Sequence, residues 1–154
     1  LERVAIIDFD VHQGNGTIDI FNDDPRVLVC SSFQHPFYPH SHYALQNPNI
    51  LNLPLDAYTQ GLAFRQKTEA AWLKQLQQHK PQLILISAGF DAHKNDPMAE
   101  IELDKTDFRW ITELIYDVAK SYSHGRIVSI LEGGYNLKAL AESAEQHLEV
   151  LAGY

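Results

Sequence analysis

The stretch Ile6-Ile7-Asp8-Phe9-Asp10-Val11-His12-Gln13-Gly14-Asn15-Gly16-Thr17 decides how the rest of the chain is read. An apolar run, Val4 to Ile7, ends in two carboxylates and an imidazole at alternate positions, and a glycine-rich turn follows. A strand buried on both faces has this pattern where it emerges at the carboxyl edge of an open parallel sheet, the edge at which ligands bind. On an extended chain Asp8, Asp10 and His12 share a face, because side chains alternate with a period of two. A carboxylate oxygen and an imidazole nitrogen two residues apart suit a divalent cation such as zinc. Taken alone, Asp-x-His equally describes a hydrogen-bonded turn or a capped helix.

A second stretch shifts the balance towards a metal. Leu83-Ile84-Leu85-Ile86-Ser87-Ala88-Gly89-Phe90-Asp91-Ala92-His93 repeats the arrangement: an apolar strand, small residues, then a carboxylate. Two parallel strands that end in ligand-type side chains at the same sheet edge bring those side chains to one ion.

Working outward, Thr17 to Phe21 reads as a short helix closed by Asn22-Asp23-Asp24-Pro25. Val27 to Ser31 is a second buried strand, Phe33 to Pro48 an aromatic, His-rich surface loop, and Ile50 to Leu55 a short strand. Thr59 caps a helix that runs to about His79. Asp104 or Thr106 caps another, along which Phe108, Ile111, Ile115 and Val118 step by three and four. Ile127 to Leu131 reads as a further buried strand, leading into Glu132-Gly133-Gly134-Tyr135, and Asn136 caps a last helix. Strand and helix alternate without repeat or linker. The fold class is α/β, a mainly parallel sheet flanked by helices.

Composition narrows the function classes. The chain has 154 residues, 45% of them hydrophobic, enough for one domain with a core. Twelve basic against 20 acidic residues give a formal charge of -8, which argues against nucleic acid as a partner. No apolar run approaches the roughly 20 residues of a membrane span. Cys30 is the single cysteine, so no internal disulfide forms, and a cytoplasmic location is expected. The chain lacks an initiator Met and reaches a core strand almost at once, which reads as a portion of a longer domain.

Three motifs in order, DFDVHQGNGT, SAGFDAHKNDPM and LEGGYNL, resemble the zinc-dependent histone deacetylase family, with its bacterial acetoin-utilisation and acetylpolyamine-amidohydrolase relatives. The resemblance covers essentially the whole chain and corresponds to the C-terminal half of the family's domain, a partial arginase/deacetylase fold. It implies zinc ligands at Asp10, His12 and Asp91, and a Tyr135 phenol that donates to the substrate carbonyl oxygen. Asp8 would orient a histidine general base. Asp8, Asp10 and His12, with Ser31 and Ser32, would also hold a monovalent cation such as potassium. A second such site would use main-chain oxygens near Phe21, Asp24 and Val27. Tyr38 resembles the aromatic wall of an acyl-lysine tunnel, Met98 an apolar lining position, and Gly133 and Gly134 flank the tunnel. The implied activity is removal of acetyl or other acyl groups from lysine side chains of a peptide or protein, or from a small acetylated amine.

One departure matters. The family's general base is a His-His pair upstream of the first zinc strand, and the 154 residues contain no adjacent histidines. By itself this chain is expected to be incomplete for catalysis, and to associate with the missing N-terminal half or with itself. Two other readings compete. An arginase-like ureohydrolase with two manganese ions would need an Asp two residues after His12, where Gly14 stands. Alternatively, the chain is a non-catalytic, oligomerising scaffold piece. His35, His40 and His42 read as loop or rim residues, His93 as a hydrogen-bonded loop residue, and His79, His124 and His147 as structural or solvated.

Overall fold

The computed structural model describes residues 1–45 and 47–153. Its strands are β1 (Val4–Asp8), β2 (Val27–Gln34), β3 (Ile50–Leu55), β4 (Leu83–Ala88) and β5 (Ile127–Leu131). All pair in parallel, in the order β3-β2-β1-β4-β5. The helices are α1 (Asn15–Phe21), α2 (Gly61–Thr68), α3 (Lys74–His79), α4 (Lys105–Tyr122) and α5 (Leu137–Ala152). The chain leaves β1 in one direction towards β2 and β3, then crosses back to β4 and β5. The switch point therefore lies between the ends of β1 and β4, where an open α/β sheet leaves its ligand crevice.

Alternation along each strand sorts the apolar residues onto two faces. Ala5 and Ile7 of β1, Leu28 and Cys30 of β2, and Ile84 and Ile86 of β4 pack with Phe64, Trp72, Phe108, Ile111 and Ile115 in the main core. Ile6, Val27, Val29 and Ile50 turn the other way, onto Ile18 of α1. The caps follow side-chain chemistry. Asp104 opens α4 with a capping box: its Oδ1 accepts from the Thr106 N–H, and its own N–H donates to Asp107 Oδ2. Asn136 opens α5 by accepting from the Ala139 N–H.

Several elements differ from the sequence reading. Thr59 does not cap α2: its hydroxyl donates to the Asp56 carbonyl, and Gln60 stands at the N-cap. The long helix is interrupted by a π turn, Glu69–Leu73, which seats the fully buried Trp72 with its indole N–H on the Leu51 carbonyl. β2 runs on to Gln34, three residues past the expected strand end and two into the expected loop, because Ser32 to Gln34 pair with Leu53 to Leu55. The largest correction concerns β5, expected to be buried. Val128, Ile130 and Leu131 are 48%, 57% and 60% exposed. β5 is an edge strand, and the cluster that packs on Ile18 of α1 draws on β1, β2, β3 and Leu85 of β4 but includes no residue of β5. The apolar residues are there, but nothing among the described residues lies on them.

The imidazole of His147 ties α5 to α4 and β5. Nδ1 lies 2.7 Å from Thr112 Oγ1 and Nε2 lies 2.8 Å from Ser129 Oγ. Because the Thr112 hydroxyl donates to the Phe108 carbonyl, it accepts from Nδ1–H, and Ser129 then donates to Nε2. Burial pushes this imidazole down to about 4 from an ordinary 6.5. Between those values the unfolded chain binds a proton that the folded chain refuses, so stability falls as pH falls through that window and is level above it. The expected result is a lower urea midpoint at pH 5 than at pH 7, with a smaller difference in His147→Gln; an equal pH difference in both proteins would contradict it.

Among the described residues no helix is long and apolar enough to cross a membrane.

Candidate active site

β1 stops at Asp8, and the residues beyond it are not extended as the alternation suggested. Each of the next two steps turns on an Asp side chain instead. The Asp10 N–H donates to Asp8 Oδ1 at 3.1 Å, and the His12 N–H donates to Asp10 Oδ1 at 2.8 Å. These turns still bring Asp8, Asp10 and His12 to one cavity. β4 ends level with β1, Asp8 standing opposite Ser87, so the next turn carries Asp91 beside Asp10. Asp91 is fully buried, and its Oδ1 accepts from the Val11 N–H at 2.9 Å.

One ligand-type atom from each of Asp10, His12 and Asp91 lies within 4.8 Å of the other two. His12 Nδ1 is 3.0 Å from Asp10 Oδ1 and 3.2 Å from Asp91 Oδ2. Asp91 Oδ2 has no hydrogen bond among the described residues. Gly133 closes the group from behind: its N–H donates to Asp10 Oδ2 at 2.8 Å, and any side chain there would collide with both carboxylates. An imidazole and two carboxylates suit zinc, and three protein ligands leave positions open for water and substrate. A buried carboxylate oxygen lacking a hydrogen bond is the kind of atom a cation satisfies. The residues fit the ion.

The electrostatics agree with a site shaped around positive charge. The hydrogen bond to Asp10 and then the Asp91 carboxylate 3.2 Å away push the His12 imidazole up to about 10. Burial alone would raise the Asp10 carboxyl, but hydrogen bonds from His12 and the Gly133 N–H outweigh it and hold it low. Asp91 is raised by its burial and by Asp10 beside it. Asp8 is raised well above the usual carboxylate range, first by burial and then by Asp10.

The centre opens into a cavity of about 670 Å³, whose wall includes Phe37, Tyr38, Met98 and Tyr135. Phe37 stacks on His12, centroids 5.4 Å apart, and Tyr38 meets the same imidazole edge-on at 6.1 Å. Tyr38 is on the wall the sequence implies, and Phe37 joins it; neighbouring aromatics in a loop do not reveal which one faces inward. Gly133 and Gly134 do not wall the cavity. Gly133 backs the carboxylates, and Gly134, at φ +139, makes the turn that brings Tyr135 round. Ser31 donates to Asp8 Oδ2 at 3.3 Å, and Ser32 is buried next to it in β2. Near the second expected monovalent site, the Phe21 and Asp24 carbonyls accept from Asp24 and Val27 N–H groups, so that turn already serves its own backbone. His93 is the loop residue expected, buried, with Nδ1 accepting from the Asn95 N–H. Asp96, not singled out in the sequence, is a buried carboxylate between the Met98 and Tyr135 loops.

The histone deacetylase domain matches residues 1–151. The chain belongs to the histone deacetylase family. An uncharacterized protein of Synechocystis sp. is 40% identical over 154 residues, covering 98% of this chain and 49% of that protein. The histone deacetylase-like amidohydrolase of Pseudomonas aeruginosa is 35% identical over 143 residues, covering 88% of this chain and 38% of its own. Among solved structures, the HDA15 HD domain superposes with a TM-score of 0.90 at 30% identity over 99% of this chain and 45% of that one. The acetylpolyamine aminohydrolase of Burkholderia pseudomallei does so with a TM-score of 0.85 at 27% identity, again over 99% and 45%. The chain thus spans about half or less of the length of these relatives. The histone deacetylase fold accounts for the parallel sheet and its flanking helices.

Proposed function

We propose that this chain carries the metal-binding and oxyanion-stabilising part of a zinc-dependent amidohydrolase, one that removes acetyl or other acyl groups from lysine side chains or similar small amides. The observation that carries the reading is the convergence of Asp10, His12 and Asp91 around an Asp91 oxygen that makes no hydrogen bond among the described residues. Zinc bound there would supply Lewis-acid polarisation of the substrate carbonyl and a more acidic water.

The chain's own groups do the rest. His12 ligates only once its Nδ1 proton leaves, a proton that the two carboxylates otherwise hold. The Tyr135 phenol is raised by partial burial and by Asp91 and Asp10, so it stays protonated and donates to the oxyanion that develops on the carbonyl oxygen. Phe37, Tyr38 and Met98 make an apolar passage suited to a lysine's methylenes. Met98 offers no charge to a distal ammonium, which favours acyl-lysine over a polyamine. Asp8, oriented by the Asp10 N–H and Ser31, would position a histidine base from outside this chain, and the strand-end oxygens around Asp8, Asp10, His12, Ser31 and Ser32 would hold potassium. The exposed apolar residues of β5 would be covered by the remainder of the domain, or by a second copy when that is missing. A cytoplasmic site of action belongs to the same proposal, Cys30 having no disulfide partner.

Metal analysis after purification tests the reading: one zinc per chain supports it, whereas two manganese ions would favour a ureohydrolase. Tyr135→Phe in the full-length protein is expected to lower kcat on an acetyl-lysine peptide by about 10²- to 10³-fold, the usual loss for one oxyanion donor, with KM little changed. A kcat within about threefold of the parent would remove Tyr135 from the chemistry.

A further inference from the structure

Asp96 is 7% exposed and spends its carboxylate on backbone N–H groups from two separate loops. Oδ1 accepts from the Met98 N–H at 3.0 Å. Oδ2 accepts from the Tyr135 N–H at 2.7 Å and from the Asn136 N–H at 3.1 Å. A parallel link, Asn136 Nδ2 to the Asn95 carbonyl at 2.9 Å, ties the same two loops beside it. The side chains that those loops present to the cavity are themselves unanchored. Tyr135 is 54% exposed and Met98 48% exposed, and both line the cavity. Where a ring has few neighbours of its own, the position of its backbone decides where its hydroxyl points.

We propose that Asp96 is a positioning residue that sets Tyr135 and Met98 together, fixing the phenol and the apolar wall as one unit on the same side of the cavity. A single carboxylate with one oxygen on each loop does this better than two independent contacts, because a shift of either loop breaks its bond to the shared group. Hydrogen bonds to a charged acceptor are also the stronger kind. The inference rests on the role assigned to Tyr135 above, and it predicts that Asp96 acts through that phenol.

A double-mutant cycle in the full-length protein tests it. Misplacing a reacting group by about 1 Å can lower a rate on the order of 10²-fold. Asp96→Asn keeps the shape, loses one acceptor oxygen and turns an N–H towards a donor. It is expected to lower kcat on an acetyl-lysine peptide by about 10- to 100-fold, with KM within about threefold and zinc content unchanged. In a Tyr135→Phe background the same change is expected to matter less than about threefold. Equal losses in both backgrounds would make Asp96 merely structural and overturn the proposal. If Tyr135→Phe alone leaves kcat intact, the deacetylase role of Tyr135 fails instead, and the two failures are told apart. Amide hydrogen exchange supplies a readout that needs no turnover: Asp96→Asn should speed exchange at Met98, Tyr135 and Asn136 together while α4 stays protected. No change at those amides would also overturn it. Should Asp96→Asn not fold, Asp96→Glu, which retains the charge on a longer arm, is read by the same exchange measurement.

Discussion

Asp91→Asn is expected to abolish stoichiometric zinc binding while leaving the metal-free fold in place. The two oxygens of Asp91 have separate duties. Oδ1 accepts from the Val11 N–H, a bond that an Asn carbonyl can also make. Oδ2 faces the His12 imidazole without a hydrogen bond and is the oxygen left for an ion. Asn replaces that oxygen with an N–H₂ that cannot ligate, and removes a negative charge from a fully buried position. Alanine makes the contrast. Asp91→Ala strands the Val11 N–H as well, adding a stability loss of about 1–3 kcal/mol for an unsatisfied buried donor. Chelator competition and metal analysis therefore separate the variants from the parent, and urea denaturation of the metal-free proteins separates them from each other. Zinc retained by Asp91→Asn at the parent's stoichiometry and affinity would dissolve the three-residue centre, and the proposed chemistry with it.

Much of this centre was legible in the sequence because it lies at the ends of strands. Apolar runs such as Val4 to Ile7 and Leu83 to Ile86 announce buried parallel strands, and the polar residues that end them must lie at one sheet edge. The route was less legible than the destination. Asp8, Asp10 and His12 reach one cavity through turns closed on Asp side chains, not through an extended chain, and alternate spacing is compatible with both. What the sequence hid depends on contacts between distant segments. Asp96, before a Pro in a polar loop, reads as an ordinary turn residue; its work is to accept from N–H groups about 40 residues away, which no local pattern records. β5 differs for a related reason: Ile127 to Leu131 has the composition of a buried strand, but composition reports what a strand needs covered, not whether a described element lies on it.

That bare strand and the inventory of bases lead to one expectation: the 154-residue chain alone should hydrolyse an acetyl-lysine amide at least about 10²-fold more slowly than a form extended upstream of Leu1 to the length of its relatives. Hydrolysis needs a group that takes the attacking water's proton, and such a base is worth roughly 10² to 10⁴ in rate. Among the described residues, the cavity wall offers one exposed carboxylate, Glu132, and no histidine besides His12. In the proposed reading Asp10 and His12 would hold the metal and Tyr135 would donate its proton. Asp8 is buried beneath the turn with its oxygens on the Asp10 N–H and Ser31. His93 and His147 are buried outside the cavity wall, and His42 pairs with Asp19 at 2.9 Å. Glu132 lines the cavity and is exposed, so it is the one carboxylate there whose use as a substitute base is worth testing. If the short chain turned over within about tenfold of the extended form and Glu132→Gln abolished that activity, Glu132 would take the role, and no residue from beyond this chain would be needed.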